Sequence, residues 1–537
     1  MYILKKSPRT LGLDEPIRHE SHKRPVTRRD FIAQGFATGP AVVAVPTLLA
    51  ALVRSEIARG NPLSPDLEAM LGFTECNIQA GAAKVPFICF DLAGGANLNG
   101  SEILIGQSGN PTNFLSTQGY AKLGLPGNMT PNSPNAASAT NNFVNTDFGA
   151  AWHSDGAILR GMQMSTQVAT RANVNGFPIA ARSENDTGNN PHNPMYGINR
   201  IGADGQLLTL IGSQNTDSGG NSMAPASLMN PAARPTKVDR ASDVTGLVDT
   251  GELGTLFTNS NDAIAVLESM TRLSHSKNDI VRDKLKLPPA DEAAVHKLVK
   301  CGYLKSTYLA DRFRQPSDLN PDLDPQIVGA SGIFTQAEYN ADNEIRKTAS
   351  IMKMVVNGLA GAGTVTMGGY DYHGQGRNTG ETRNFRAGRC IGACLEYAAR
   401  MGKPLMIYVF SDGALSANGV INTTPEGRGK LDWASDNQAT ASSFVLVYKP
   451  TGRPQFRDDN RRQIGSYSAN GDVVTTSSPA ANAVNLLVET VLLNYMALHS
   501  QEGQFQATFP SNGLAPATRD ALTILQPVCN GTVNNPV

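Results

Sequence analysis

Short apolar runs alternate along the chain with longer stretches of helical periodicity. The strand candidates share continuous apolar character over five to eight residues, and they are residues 85–90, 157–164, 206–211, 363–367, 405–410 and 443–449. The helix candidates share apolar residues at a spacing of three and four, and they are residues 261–308, 336–359, 385–401 and 481–499. This alternation predicts an α/β fold with a largely parallel central sheet, helices on both faces and a single domain over residues 61–537. Within it, residues 101–150 are rich in Asn, Gly, Pro and Ser, which predicts a long loop insertion.

Two glycines interrupt the predicted helix at 385–401. Gly388 and Gly392 lie about one helical turn apart. Glycine inside a helix costs about 1 kcal/mol relative to alanine, so a pair on one face needs a structural reason. We expect another element to approach this helix closely at the two positions.

The amino-terminal 60 residues differ from the rest in charge. They hold ten basic and five acidic side chains, which leaves 36 basic and 41 acidic residues in the mildly acidic remainder. An acidic body argues against nucleic acid as a partner. Arg28-Arg29 precedes a moderately apolar run at 32–53, as in a twin-arginine export signal. We expect export of the folded protein by the twin-arginine translocase to the periplasm or the cell exterior. An uncleaved membrane anchor stays open, because the run is nearly long enough to span a bilayer.

The six cysteines are few for 537 residues and lack the spacing of a metal finger. Cys76 and Cys529 lie near the two ends of the mature chain and are candidates for a disulfide outside the cytoplasm. Cys390 and Cys394 share one face of a predicted helix with apolar neighbours. We interpret these two as small core residues, since cysteine is among the most buried residue types.

Acidic residues follow several predicted strands. Asp91 and Asp412 each come directly after an apolar strand, and Asp371 and His373 follow the strand at 363–367. The carboxyl ends of parallel strands meet at one edge of an α/β sheet, where such folds bind ligands. Side chains two residues apart in an extended segment point the same way, so the carboxylate and the imidazole converge on one ion. The alternative for each aspartate is the capping of a following turn or helix.

Further candidates belong to the same edge. Asp436 lies ahead of the strand at 443–449, and His192 follows a polar loop. Four carboxylates and one or two histidines would suit one or two divalent cations, with calcium, magnesium, manganese and zinc as the options. Ser183 and Thr187 are the candidate nucleophiles, because a hydroxyl next to a metal loses its proton more readily. Their alternative role is local hydrogen bonding to the loop backbone.

Five short segments carry a resemblance to a known family. They are Arg28-Arg29, residues 90–97 (F-D-L-A-G-G-A-N), 181–186 (A-R-S-E-N-D), 369–375 (G-Y-D-Y-H-G-Q) and 410–413 (F-S-D-G). In this order the chain resembles the twin-arginine-exported family known as domain of unknown function 1501, whose fold is similar to the alkaline phosphatase and sulfatase superfamily. The resemblance implies an alkaline-phosphatase-like fold and a metal-dependent hydrolase of phosphate or sulfate esters, with a small-molecule ester as its substrate.

The chain departs from this family pattern at its histidines. It keeps Asp371 and His373, but it has Glu184 where the pattern has histidine, Asp412 where it has glutamate, and Gly413 where phosphatase-like enzymes have histidine. Imidazole ligands favour zinc, so their loss leaves an oxygen-rich site that suits calcium, magnesium or manganese. Two functions stay open: an exported hydrolase, and a non-catalytic envelope or surface protein that uses the same fold for binding or assembly.

Overall fold

A computed structural model describes most of the chain. The described residues are 64–67, 83–132, 142–183, 190–247, 260–282, 289–312, 319–374 and 376–537. The chain divides into two compact units, a helical unit (Met1–Leu63 with Asp249–Arg312) and a sheet unit (Ser64–Val248 with Phe313–Val537). The expected export signal lies outside the described residues, and the single domain expected over 61–537 stays a prediction.

One mixed sheet forms the centre of the sheet unit. The strands in the described residues are β1 (Phe87–Leu92), β2 (Val144–Asn145), β3 (Trp152–His153), β4 (Val174–Ala180), β5 (Leu208–Gly212), β6 (Thr236–Lys237), β7 (Ala360–Met367), β8 (Leu405–Phe410), β9 (Leu415–Ile421), β10 (Leu431–Asp436) and β11 (Ser442–Tyr448). Seven of these described strands form the sheet, in the order β4-β11-β8-β1-β7-β5-β6. Strand β1 is parallel to β7 and β8, β5 is parallel to β6 and β7, and β11 is antiparallel to both of its neighbours. The predicted α/β fold with a largely parallel sheet is confirmed.

Helices cover both faces of this sheet. The described helices are α1 (Thr117–Lys122), α2 (Ala157–Ser165), α3 (Val168–Ala172), α4 (Met195–Arg200), α5 (Ala241–Thr245), α6 (Ser260–Arg282), α7 (Pro289–Arg312), α8 (Gln336–Ala341), α9 (Asn343–Val356), α10 (Arg377–Arg400), α11 (Val484–Leu498), α12 (Phe505–Thr508) and α13 (Arg519–Leu522). Ile88 and Phe90 of β1 join a core with side chains of α9 and α10, whereas Phe87 and Cys89 join one with side chains of α4 and α11. Burial on both faces explains the continuous apolar runs.

The prediction of a strand at residues 157–164 is wrong, because this segment forms α2. A short apolar run fits a buried helix as well as a strand, and here it packs on α10. A Cβ atom at Gly388 would lie 2.2 Å from the Ile158 carbonyl oxygen, and one at Gly392 would lie 2.7 Å from the Met162 Cα atom. The close approach expected from the two glycines is therefore confirmed.

Strand β4 has no counterpart among the predictions. Its sequence holds Gly176 and Pro178, two residues that argue against a strand interior. Proline in a sheet is confined to edge strands and bulges because it has no N–H to donate. β4 lies at one end of the strand order, next to β11. Its position at the edge explains why the sheet accepts these residues.

The cysteines differ from expectation at one point. Cys529 is free and 1% exposed, in the apolar core beneath α11, so the expected disulfide between Cys76 and Cys529 is wrong. Cys76 lies outside the described residues. Cys301 in α7 is disulfide-bonded. Cys390 and Cys394 are free and buried, as predicted for core residues.

The described part of the helical unit is the pair α6 and α7. Thr271 Oγ1 lies 2.7 Å from Thr307 Oγ1, and His275 Nε2 lies 2.9 Å from the Lys300 carbonyl oxygen. These contacts join the two helices; their expected packing on the sheet stays a prediction. In the residues that the structure describes, no helix combines the length and the apolar character that a membrane span requires.

His499, just after α11, makes the stability of the sheet unit depend on pH. Its Nδ1 donates to the Tyr495 carbonyl oxygen at 2.7 Å, and its Nε2 accepts from the Val85 N–H at 3.0 Å. Burial lowers the pKa of His499 to about 4. The ordinary pKa is about 6.5, so between pH 6.5 and 4 the unfolded chain binds a proton that the folded chain does not. Stability therefore falls as the pH falls through this window.

We expect this histidine to contribute about 3 kcal/mol to that loss, from a pKa shift of roughly 2.5 at about 1.4 kcal/mol per unit. Urea unfolding at several pH values between 7 and 4.5 measures it. The variant His499→Gln should show a shallower dependence of the free energy of unfolding on pH than the wild type. An unchanged dependence would contradict the assignment.

Candidate metal centre

Several chain segments meet at one edge of the central sheet. Strands β1, β4, β7 and β8 run in the same direction, so their carboxyl ends lie at this edge. The antiparallel strand β11 begins there. The residues after Met367 and Phe410 therefore lie at this edge, and so do the residues before Ser442. This is where an α/β sheet places ligand-binding loops.

Three predicted ligands come together at this edge. His373 Nδ1 contacts Asp371 Oδ1 and lies 3.5 Å from Asp436 Oδ1. One ligand atom from each of the three residues lies within 4.8 Å of the other two. The three side chains are 44–60% exposed. The described residues hold this one group of histidine, cysteine and carboxylate side chains with a geometry that suits a metal ion.

Two tyrosines orient the loop that carries Asp371 and His373. Tyr370 and Tyr372 are fully buried, whereas the residues that alternate with them are exposed. The Tyr370 hydroxyl donates to the Arg383 carbonyl oxygen at 2.8 Å, and the Tyr372 hydroxyl accepts from the Asn97 N–H at 2.9 Å. Side chains of an extended segment alternate in direction. Anchoring the tyrosines inward therefore points the aspartate and the histidine outward together.

Asp412 lies beside this group without joining it. Its Oδ1 accepts a hydrogen bond from the Gly94 N–H at 2.6 Å, and the side chain is buried. Gly94 has φ of +124°, and a Cβ atom there would lie 2.3 Å from the Asp371 backbone nitrogen. The glycine thus brings the β1 loop between the loops that follow β7 and β8. Among the described residues, Asp412 is not a member of the three-ligand group.

The structure directs Asp91 into the protein. Its Oδ2 accepts from the N–H groups of Asn221 and Ser222 at 2.7 and 2.8 Å, and its Oδ1 accepts from the Ser222 hydroxyl at 2.9 Å. Burial raises the pKa of Asp91 to about 6, and the charge of Asp412 adds to the rise while the hydrogen bonds from Ser222 oppose it. Because both carboxylate oxygens accept hydrogen bonds, Asp91 holds the loop after β5 against β1. Its assignment as a metal ligand therefore gains no support.

Ser183, one of the two candidate nucleophiles, reaches the same edge. It is 1% exposed, and its N–H donates to the Gln438 carbonyl oxygen at 3.4 Å, two residues beyond Asp436. The other candidate, Thr187, lies outside the described residues, as does Glu184. The hydroxyl of Ser183 therefore has a defined place near the loop that ends in Asp436.

His192 was a candidate ligand, but its contacts are with Ser183 and an aromatic ring. Its Nε2 lies 3.4 Å from Ser183 Oγ, and its ring stacks on Phe410 with centroids 5.5 Å apart. Burial lowers the pKa of His192 to about 4, so the imidazole is neutral at pH 7. The sequence places a serine nine residues before a histidine, a spacing too common to indicate this pairing in advance.

The donor set suits a divalent cation. Two carboxylates and one imidazole match ions that accept both oxygen and nitrogen, such as manganese and zinc, while the carboxylates alone also suit calcium and magnesium. Three protein ligands leave coordination positions for water or substrate, which is the arrangement of a catalytic rather than a structural site. The exposure of Asp371, His373 and Asp436 allows a ligand to approach from solvent.

Comparison with known protein families gives no match, and comparison with curated proteins gives none either. The residues at the sheet edge therefore carry the evidence for function.

Proposed function

We propose that this chain is an exported hydrolase of phosphate or sulfate esters that depends on a divalent cation and has an alkaline-phosphatase-like fold. The observation that carries the proposal is the convergence of Asp371, His373 and Asp436, whose ligand atoms lie within 4.8 Å of one another. They stand at the edge of the sheet where α/β enzymes bind their substrates. The resemblance to the exported family supports the choice of reaction.

Asp371, His373 and Asp436 would hold the cation, and manganese fits the donor set because it accepts carboxylate and imidazole ligands. A bound divalent cation would act as a Lewis acid on the phosphoryl or sulfuryl oxygens. The chain supplies positioning: Tyr370 and Tyr372 fix the loop so that two ligands need little reorganisation. Ser183, at the same edge, is the proposed nucleophile, and calcium, magnesium and zinc are the competing ions.

The proposed location is the periplasm or the cell exterior, reached through the twin-arginine translocase. The disulfide at Cys301 supports it, because such bonds persist in oxidising compartments and are rare in the cytoplasm. The acidic body of the chain also fits a small-molecule ester better than a nucleic acid as partner.

A hydrolysis assay tests the proposal. The protein is purified from its exported fraction, treated with a chelator, and assayed with aryl phosphates and aryl sulfates before and after addition of manganese, zinc, magnesium or calcium. We expect turnover to depend on the added cation and to fall by at least about 100-fold in Asp371→Ala, comparable to the loss of a group that stabilises transition-state charge.

Asp520→Ala is the matched control, since Asp520 is an exposed carboxylate on α13. Its turnover should equal that of the wild type. Turnover that survives the chelator and the Asp371→Ala change would contradict the proposal.

The second candidate is a non-catalytic envelope or surface protein on the same fold. The exposure of the ligands favours it: all three ligand side chains are at least 44% exposed, whereas catalytic groups usually act in a water-excluded site. Gly413, in place of a histidine, points the same way. Cation binding without hydrolysis of either ester class would select this function.

A further inference from the structure

A serine and a histidine outside the metal centre are arranged for proton transfer. Asn190 Nδ2 donates to Ser183 Oγ at 3.3 Å and to the Asp412 carbonyl oxygen at 3.0 Å. An amide nitrogen only donates, so Ser183 Oγ accepts from it and keeps its own proton to give. His192 Nε2, at 3.4 Å, lies within reach of that proton. A separation of this size is common in ligand-free sites and shortens when substrate binds.

Transfer of the Ser183 proton to Nε2 requires one particular tautomer of His192. With Nε2 as the acceptor, the ring carries its hydrogen on Nδ1. That atom is buried and has no hydrogen-bond partner in the part of the chain that the structure describes. Burial keeps the pKa of His192 low and the imidazole neutral, which is the state a general base requires. A buried nitrogen without a hydrogen-bond partner lowers the stability of the fold.

Ser183 also borders a cavity of about 270 Å³. Arg182 is the charged residue among its lining side chains, which are otherwise neutral. The Arg182 guanidinium donates to Asn482 Oδ1 and to Gln438 Oε1, both at 3.0 Å, and is thereby fixed at the cavity wall. A fixed guanidinium favours an anionic group, since its planar donors match phosphate, sulfate and carboxylate oxygens.

We propose that Ser183 and His192 form a nucleophile–base pair that opens on this cavity, takes carboxylic esters that bear an anionic group, and works without the cation. The proposal shares Ser183 with the proposed hydrolase but does not rest on the metal centre. In the reaction, the Ser183 oxygen attacks the acyl carbon of the ester while its proton passes to His192 Nε2. The bond to the leaving oxygen breaks, that oxygen keeps the electron pair, and it receives the proton from His192. Water then releases the group from Ser183 by the same proton route.

The test uses a fluorophosphonate probe on the full chain after chelation of metals. The serine oxygen displaces fluoride from the probe, so the adduct reports the nucleophile without any turnover. We expect peptide mass spectrometry to place the adduct on Ser183, and Ser183→Ala to abolish it. His192→Gln should slow labelling by about 100-fold, the lower end of what a general base contributes. Asp520→Ala, a change of an exposed carboxylate on α13, should label at the wild-type rate.

Two further measurements, on a variant of Asn190 and with inorganic phosphate as a competitor, complete the test. Asn190→Asp preserves shape but replaces the donor with an acceptor that competes for the Ser183 proton, so labelling should slow here too. Inorganic phosphate should slow labelling of the wild type and have little effect on Arg182→Gln. Absence of a Ser183 adduct in the wild type would overturn the proposal, and so would equal labelling of a folded His192→Gln. Labelling that appears only after manganese is added back to the chelated protein would also overturn it, because Ser183 would then need the cation.

Discussion

Replacement of Glu381 by glutamine is expected to lower the free energy of unfolding of the sheet unit by about 3–5 kcal/mol, the cost of breaking a buried ion pair from one side. Glu381 is 4% exposed. Its Oε1 accepts from Arg377 Nη2 at 2.9 Å and Lys430 Nζ at 2.8 Å, and its Oε2 accepts from Arg160 Nη2 at 2.7 Å. Glutamine keeps the shape but leaves two fully buried cations without this carboxylate.

The measurement is urea unfolding at pH 7.5, followed by circular dichroism. Glu426→Gln serves as the control, because Glu426 is exposed on the loop between β9 and β10 and should change the free energy of unfolding by less than about 0.5 kcal/mol. A loss below about 1 kcal/mol in Glu381→Gln would contradict the central place given to this carboxylate.

The Glu381 network also joins the two segments that carry the metal ligands. Arg377 begins α10 just after the loop of Asp371 and His373, and its N–H donates to Asp432 Oδ1 at 2.6 Å. Its guanidinium lies over the Trp433 ring at 4.5 Å. Both partners belong to β10, which ends in Asp436. We therefore expect Glu381→Gln to weaken cation binding as well, through loosened ligand positions.

His373→Ala is expected to weaken the binding of manganese by at least about 100-fold, because changes to groups that only support metal ligands already cost 10- to 100-fold. His373 Nδ1 lies between the Asp371 and Asp436 carboxylates and is the nitrogen of the group. Isothermal titration calorimetry on chelator-treated protein measures the affinity.

His296→Ala is the matched control for this titration. His296 lies on α7, where its Nε2 contacts Asp279 at 2.9 Å, so it also pairs with a carboxylate. The affinity of this variant should equal that of the wild type. If His373→Ala retained an affinity within about threefold of the wild type, the contact between His373 and the carboxylates would be an ordinary surface ion pair.

The sequence was sufficient for the part of the site that depends on local geometry. Alternation in a short extended segment placed Asp371 and His373 on one side, and the two buried tyrosines that alternate with them fix this direction. Asp436 was named from its position ahead of the predicted strand at 443–449. It lies at the same edge of the sheet because β11 is antiparallel to its neighbours, a direction that the sequence analysis did not predict.

The orientation of Asp91 could not be predicted from its neighbours in the sequence. Its donors, Asn221 and Ser222, lie 130 and 131 residues away in sequence. A carboxylate at the end of a strand can bind a metal or accept hydrogen bonds from a loop. Only the identity of its partners distinguishes the two roles. The pairing of Ser183 with His192 is hidden in the same way, since it depends on Asn190 and on a ring that stacks against Phe410.

Elements of the fold that depend on local pattern were also predicted, whereas those that depend on distant contacts were not. Runs such as Leu405–Phe410 were predicted because burial on both faces makes them continuously apolar. The segment Ala157–Ser165 was mistaken for a strand, since its helical state depends on contact with Gly388 and Gly392 of a distant helix. Val174–Ala180 was missed because tolerance of its proline depends on an edge position, which the sequence of one strand does not reveal.

Binding of a cation by Asp371, His373 and Asp436 is tested most directly by an anomalous difference map from crystals soaked in manganese. We expect a peak at about 2.0–2.6 Å from ligand atoms of Asp371, His373 and Asp436. The peak should be absent in crystals of His373→Ala. A map without a peak at these three residues, or with its peak at Asp91 instead, would contradict the assignment of this metal site.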